Sequence, residues 1–268
     1  MGKAMEILTG YVTGAAGTDF DALTMLAGNS LTIRNAKEGS KVWLITAWAL
    51  NQANDSYLRI RSPRLHDNVE GMNFAVEATN CKPLIPFGAM QELISQDTLV
   101  VEMQDSGATS DLDFACLLVY YEDLPGVDGR FITYEEYKQR ARHLVSVRNT
   151  LTLDTDGTYD AEEAINAEFD LLKANTDYAL IGAHTRDRIP CIRYRGTDTG
   201  NLGVGIPGGI GEQWITGGWF LNLAYFTGLP MIPVINAANK ANFLIDAPAT
   251  ENDITCEIST TLVELTGG

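Results

Sequence analysis

The chain has 268 residues, 45% hydrophobic and 20% charged, with 19 basic against 35 acidic side chains and a formal net charge of −16. That length holds one large domain or two of roughly 100–150 residues, and the composition is that of an ordinary globular protein, not a disordered one. Phosphate contacts need clustered Lys and Arg, so direct nucleic-acid binding is not expected of so acidic a chain.

In chain order, Met1-Gly2-Lys3-Ala4-Met5-Glu6 is charged and no apolar run follows it, so no signal peptide is expected. Apolar or alternating runs of strand length lie at 7–13, 30–35, 42–50, 57–62, 72–77, 98–104 and 114–122. Turn clusters such as Asn54-Asp55 and Asp105-Ser106-Gly107 separate them. A short helix is predicted at 89–95. Thr133-Tyr134-Glu135-Glu136 reads as a capping box, and Tyr134, Tyr137, Ala141, Leu144 and Val145 follow at helical spacing, predicting one amphipathic helix over 134–145. Further strands are predicted at 150–154, 167–172, 178–184, 191–195, 219–226, 231–235, 243–246 and 254–265, with Asp160-Ala161-Glu162-Glu163 as a helix cap and a weaker helix at 236–242. Residues 217–235 come near bilayer-spanning length, but Asn222, Thr227, Pro230 and Pro233 make them loop plus strand.

The second half repeats the first. Trp43-Leu44-Ile45-Thr46-Ala47 matches Ala179-Leu180-Ile181-Gly182-Ala183, and Tyr57-Leu58-Arg59-Ile60-Arg61-Ser62 matches Cys191-Ile192-Arg193-Tyr194-Arg195-Gly196. Pro83-Leu84-Ile85-Pro86 matches Pro230-Met231-Ile232-Pro233, and Asp113-Phe114-Ala115-Cys116 matches Asp253-Ile254-Thr255-Cys256. The four pairs keep their order at offsets of 136, 134, 147 and 140 and share ten identities. A repeat on this scale decides the architecture. Short strands with turn signals between them predict an all-β chain of two tandem β-sandwich (jelly-roll) domains joined by a short helical connector. The boundaries are 1–127, 128–146 and 147–268.

Two such units, each with a helix late in the strand order, resemble the double jelly-roll major capsid proteins of tailless icosahedral viruses, the adenovirus-like lineage. The resemblance covers nearly the whole chain and rests on architecture and the repeat, with no short signature to match residue by residue. It implies a structural virion protein, assembled in the host cytoplasm into homotrimeric, pseudo-hexagonal capsomers of an icosahedral shell. Its partners would be further copies, vertex or minor capsid proteins and, in some members, an internal membrane.

The chemistry-bearing motifs are sparse, and no enzymatic activity is expected. Gly203-Val204-Gly205-Ile206-Pro207-Gly208 has the glycine spacing of a dinucleotide loop. Pro207 removes a donor, however, and no acidic residue follows about 20 positions on, so a flexible inserted loop is predicted. Asp154, Asp156 and Asp160 around Gly157 make a calcium candidate, against the plainer reading of an acidic turn; no other cofactor is expected. His66, His143 and His184 form no metal pair on one strand, though a triad assembled in space stays open. The cysteines, at 81, 116, 191 and 256, form no C-x-x-C and read as reduced, buried residues, Cys116 and Cys256 at matching repeat positions. Trp214, Trp219, Phe220, Tyr225 and Phe226 cluster in the 203–226 insertion. They suit a subunit interface or, as the alternative function, a carbohydrate- or receptor-binding module.

Overall fold

The computed structural model describes residues 2–13, 19–34, 41–62, 68–78, 80–104, 112–208, 213–251 and 254–267. The first half contains β1 (Lys3–Thr13), β2 (Phe20–Ala22), β3 (Thr24–Met25), β4 (Val42–Leu50), β5 (Ser56–Arg61), β6 (Met72–Val76), β7 (Gln91–Leu93), β8 (Val100–Gln104) and β9 (Leu112–Glu122). After β10 (Phe131–Ile132) and α1 (Tyr134–Arg140) come β11 (Ala141–Leu153), β12 (Tyr159–Ala164), β13 (Asp177–Thr185), β14 (Cys191–Arg195), β15 (Val204–Pro207), α2 (Gln213–Thr216), α3 (Trp219–Thr227), β16 (Ile232–Asn236), β17 (Leu244–Pro248) and β18 (Ile254–Leu265). The protein is an all-β sandwich built from antiparallel sheets. No described helix is long and apolar enough to cross a membrane.

Among the described residues four sheets form: β2-β8-β5-β6, β3-β1-β9-β4-β7, β12-β17-β14-β15 and β10-β16-β13-β18-β11. With the additions β3 and β10 set aside, each half has eight strands in the same wiring, 1-8-3-6 in one sheet and 2-7-4-5 in the other. Even a local irregularity repeats: β4 shifts register against β9 between Leu44 and Thr46, and β13 shifts against β18 between Leu180 and Gly182. The matches of 43–47 with 179–183 and of 57–62 with 191–196 therefore hold in register.

The matches at 83–86 and 113–116 do not. Trp43 stands opposite Glu92 and Ala179 opposite Val234, so residues 83–86 precede the strand that answers β16. Trp48 stands opposite Cys116, whereas His184, its counterpart two residues past the same bulge, stands opposite Ser259. Cys116 thus corresponds to Ser259, not Cys256.

The sheets stack in four layers because the second sheet is covered on both faces. Leu8, Ala115, Leu117, Val119 and Tyr121 point into the first half's own core. Met5, Ile7, Trp48, Cys116, Leu118 and Tyr120 point the other way, into a core shared with the second half. Each Met, Ile, Leu or Val side chain among them stabilises by about 1.5–3 kcal/mol on burial. At this boundary Ile7 N donates to Gly203 O at 2.8 Å and Trp48 Nε1 to Pro190 O at 2.8 Å. Gly205 is needed here: a Cβ would lie 2.8 Å from the Ile7 Cβ.

Several predicted elements change. The helix expected over 134–145 is α1 alone. Thr133 caps it by accepting from Glu136 N at 3.2 Å, and the Glu136 carboxylate takes a bond from Arg140 at 3.1 Å. Residues from 141 onward join β18 instead, since Val145, Val147 and Thr150 favour a pleated strand with a long partner. The helix expected at 89–95 gives way to β7, paired with β4. The helix cap at 160–163 lies inside β12, and the flexible loop at 203–208 contains β15, hydrogen-bonded to β14. Residues 219–226 are helix, not strand. Gly218 stands at the start of α3, Gly228 closes it at φ 71°, and Trp219, Phe220, Leu223 and Ala224 make a buried stripe of helical spacing. Residues 167–172 form no strand, and 30–34 keep only a bridge from Thr32 to Thr98; residue 35 lies outside the described residues. The weak helix at 236–242 is a 3₁₀ turn, Ala237–Asn242, capped by Asn236.

Candidate functional site

The strongest constellation was visible in the sequence only as two Arg-x-Arg pairs. Alternation along β5 puts Arg59 and Arg61 on its outer face, and register sets Arg59 opposite Glu102 of β8. Arg59 Nε donates to Glu102 Oε2 at 2.7 Å and Arg61 Nε to the same oxygen at 3.0 Å, while the Arg59 guanidinium lies 4.1 Å from the centre of the Phe20 ring. The second half repeats the arrangement of residues, with the fork onto the carboxylate made by Arg193 where Arg61 makes it in the first half, and with Arg195 turned to Glu162. Arg193 stands opposite Asp246 of β17 and donates to it at 2.7 Å, with Arg195 Nε 3.8 Å away. The Arg193 guanidinium covers the Tyr159 ring at 3.4 Å. Phe20 and Tyr159 answer one another, since each pairs with the residue two beyond the carboxylate, Gln104 and Pro248. Planar guanidinium forks suit this bidentate and stacked geometry better than lysine.

The two clamps differ in what covers them. Arg59, Arg61 and Glu102 lie on the outermost sheet. Arg193 and Arg195 border a cleft of about 300 Å³ with Glu6 and Arg34 of the first half and with Tyr159 and Asn201, while Asp246 behind them is buried. Burial works to raise the Glu102 carboxyl, but hydrogen bonds from Arg61 and Arg59 outweigh it and hold it below its ordinary value. At Asp246 burial wins over Arg193 and lifts the carboxyl. Every charge in the cleft has a partner: Arg34 forks onto Glu6, which also accepts from Tyr121 at 3.1 Å. This arrangement holds strands together and brings no nucleophile to a base.

The 203–226 aromatics split into two groups. Trp219 is fully buried, donates to Gly205 O at 3.0 Å and meets Trp48 edge-on at 5.5 Å; Phe220 is buried too. Tyr225 and Phe226 stay 61% and 55% exposed and continue a chain of rings through Phe87, Tyr134 and Tyr137. The Trp214 side chain lies outside the described residues. Among the described aromatic side chains of this stretch, Tyr225 and Phe226 have free faces and Trp219 has none.

Asp154, Asp156 and Asp160 do not converge. Asp160 Oδ2 accepts from the backbone N–H of Asp154 at 2.8 Å and of Thr155 at 3.0 Å, closing the acidic turn on itself. No group of three metal-ligating side chains occurs among the described residues. His66 lies outside them, and His143 is exposed on β11. His184 has a buried Nδ1 with no hydrogen-bond partner, so no carboxylate orients its ring as a triad requires. All four cysteines are buried free thiols. Three of them, Cys81, Cys116 and Cys191, gather around Pro190 and Thr9 at the boundary between the halves. Burial raises the Cys81 and Cys116 thiols well above their ordinary value, and Cys256 to about 12. These groups are inert packing residues rather than nucleophiles.

The fold and this constellation define an all-β sandwich protein with a duplicated arginine–carboxylate clamp. No protein-family model and no curated protein matches the chain. Among solved structures it is similar to the PBSX exported protein XepA, at 11% identity and a TM-score of 0.24 over 97% of this chain and 86% of that one. A cupin 2 conserved barrel domain protein from Leptotrichia buccalis is similar at 8% identity and a TM-score of 0.18, over 96% and 89%. At such scores neither likeness bears on fold or activity.

Proposed function

We propose that the chain is a major capsid protein of the double jelly-roll kind, with one jelly roll in residues 1–127, a connecting segment at 128–140 and a second jelly roll that opens with β11. The reading is carried by one observation: the 1-8-3-6/2-7-4-5 wiring, which is that of a jelly roll, occurs twice, together with its bulge and its clamp. Three copies form a pseudo-hexagonal capsomer, and capsomers tile an icosahedral virion shell alongside vertex or minor proteins. The residues that matter are core and contact residues, with no catalytic role assigned.

Light scattering after size exclusion, with negative-stain imaging of the main peak, tests this. A particle of three times 29.2 kDa, or shell fragments with hexagonal tiles, is the expected result. A protein that stays monomeric at high concentration and varied salt overturns it.

A further inference from the structure

The contact between the two halves is head-to-tail: the outer face of the first half's β1-β9-β4 sheet meets the outer face of the second half's β12-β17-β14-β15 sheet. Two counterpart faces are left without a covering sheet among the described residues. They are the outer face of β2-β8-β5-β6 at one end and the outer face of β11 and β18 at the other. A contact joining two different patches continues from copy to copy and closes as a ring or runs on as a filament.

Register identifies the counterparts. At the boundary within the chain, Cys191, two residues before Arg193, projects from β14 to 3.8 Å from Thr9 Oγ1, which also lies 3.6 Å from Cys116 Sγ. The counterpart of Cys191 is Tyr57, two residues before Arg59. Thr9 stands opposite Cys116 and Arg148 opposite Ser259, so Arg148 answers Thr9 and Ser259 answers Cys116. Tyr57 is 49% exposed on an outermost face. Arg148 and Ser259, with His184 in the place of Trp48, line an open cavity of about 190 Å³. A large exposed ring stands at one end of the chain, and a cavity for it at the other.

We propose that a second copy of this chain docks there, the Tyr57 ring of one copy entering the cavity formed by Arg148, His184 and Ser259 of the next, so that the contact between halves is repeated between chains. The inference rests on the capsid reading and gives it specific surfaces. The ring face meets a guanidinium, a favourable pairing once water leaves. The boundary within the chain has an apolar centre around Ile7, Trp48 and Trp219. The one between chains is polar, as an exposed face of a soluble subunit must be before assembly.

The test uses Tyr57→Lys, Arg148→Glu and the double variant, each with its melting temperature measured beside its mass by light scattering. The single variants are expected to fold as the wild type does and to raise the trimer dissociation constant by about 30-fold or more, the scale of an interface anchor. The double variant sets an ammonium group of one copy against a carboxylate of the next, and is expected to recover the trimer to within about tenfold. Folded single variants that remain fully trimeric overturn the docking contact and leave the capsid reading standing. Dissociation without recovery in the double variant overturns the direct pairing. A wild-type protein that never assembles overturns the capsid reading itself.

Discussion

β9 and β18 occupy the same place in the two halves, the eighth strand beside the first and third, yet they have opposite surroundings. β9 is buried along ten of its eleven residues, with the sequence LDFACLLVYYE; β18 alternates, with the sequence ITCEISTTLVEL, and turns Glu257 to solvent. Wiring does not explain this, because the wiring is shared. The difference is that the second half lies on the outer face of β9, while no part of the described chain lies on that of Glu257. A strand buried on both faces reads as a continuous apolar run, and one with a wet face alternates.

Counterpart substitutions would break that comparison most sharply. Ile7 and Ser146 answer each other on β1 and β11, and an aspartate at each separates covered from open faces. Ile7→Asp puts a charge where the side chain is 2% exposed and is expected to cost at least ~4 kcal/mol in urea unfolding. Ser146→Asp is expected to stay within about 0.5 kcal/mol of wild type. Equal losses at the two sites would show that the outer faces are not differently covered.

Trp48 and His184 give the next largest contrast. Trp48→Ala removes a fully buried ring and its bond to Pro190, for a loss of about 3–5 kcal/mol. His184→Ala is expected to cost less than about 1 kcal/mol. Thermal unfolding of the pair suffices, and a His184 loss matching that of Trp48 would contradict the assignment.

The smallest effect is electrostatic and sharpens the comparison of the clamps. Carboxyl titration by NMR should place Glu102 below the ordinary glutamate value of about 4.3 and Asp246 above the aspartate value of about 3.9. The stability lent by the depressed Glu102 is present above about pH 4.3 and disappears as pH falls through its folded value. For the raised Asp246 the sign reverses: its contribution is present below about pH 3.9 and is lost as pH rises through its folded value. Acid should therefore loosen β5 from β8 before β14 from β17, and hydrogen exchange in the opposite order would count against the difference in cover.

Much of the fold was legible where signals were local. Residues 42–50 alternate and run apolar for a strand's length, and β4 spans them; Thr133 caps α1 as its sequence implies. Errors arose where a distant partner decided. Residues 141–145 carry helical spacing, but they open β11, which pairs with β18 at eleven register positions. Residues 219–226 read as strand because their aromatics and leucine have β propensity, until the packing of Trp219 against Trp48 and Gly205 turned the same side chains into a helical stripe. The clamp was half visible: Arg-x-Arg occurs in both halves, but Glu102 and Asp246 lie 41 and 51 residues beyond Arg61 and Arg195 and are joined to them only through neighbouring strands.

By itself, the sequence determined the β character, two of the four repeat matches and the two Arg-x-Arg pairs, because alternation, turn residues and repeated spacing act over a few residues. Tertiary structure decided which faces meet, which carboxylate answers each arginine pair, and that Cys116 corresponds to Ser259. Register between strands is set by contacts far apart in the chain, and a shift of three residues, invisible in a list of identities, changes every neighbour a side chain has.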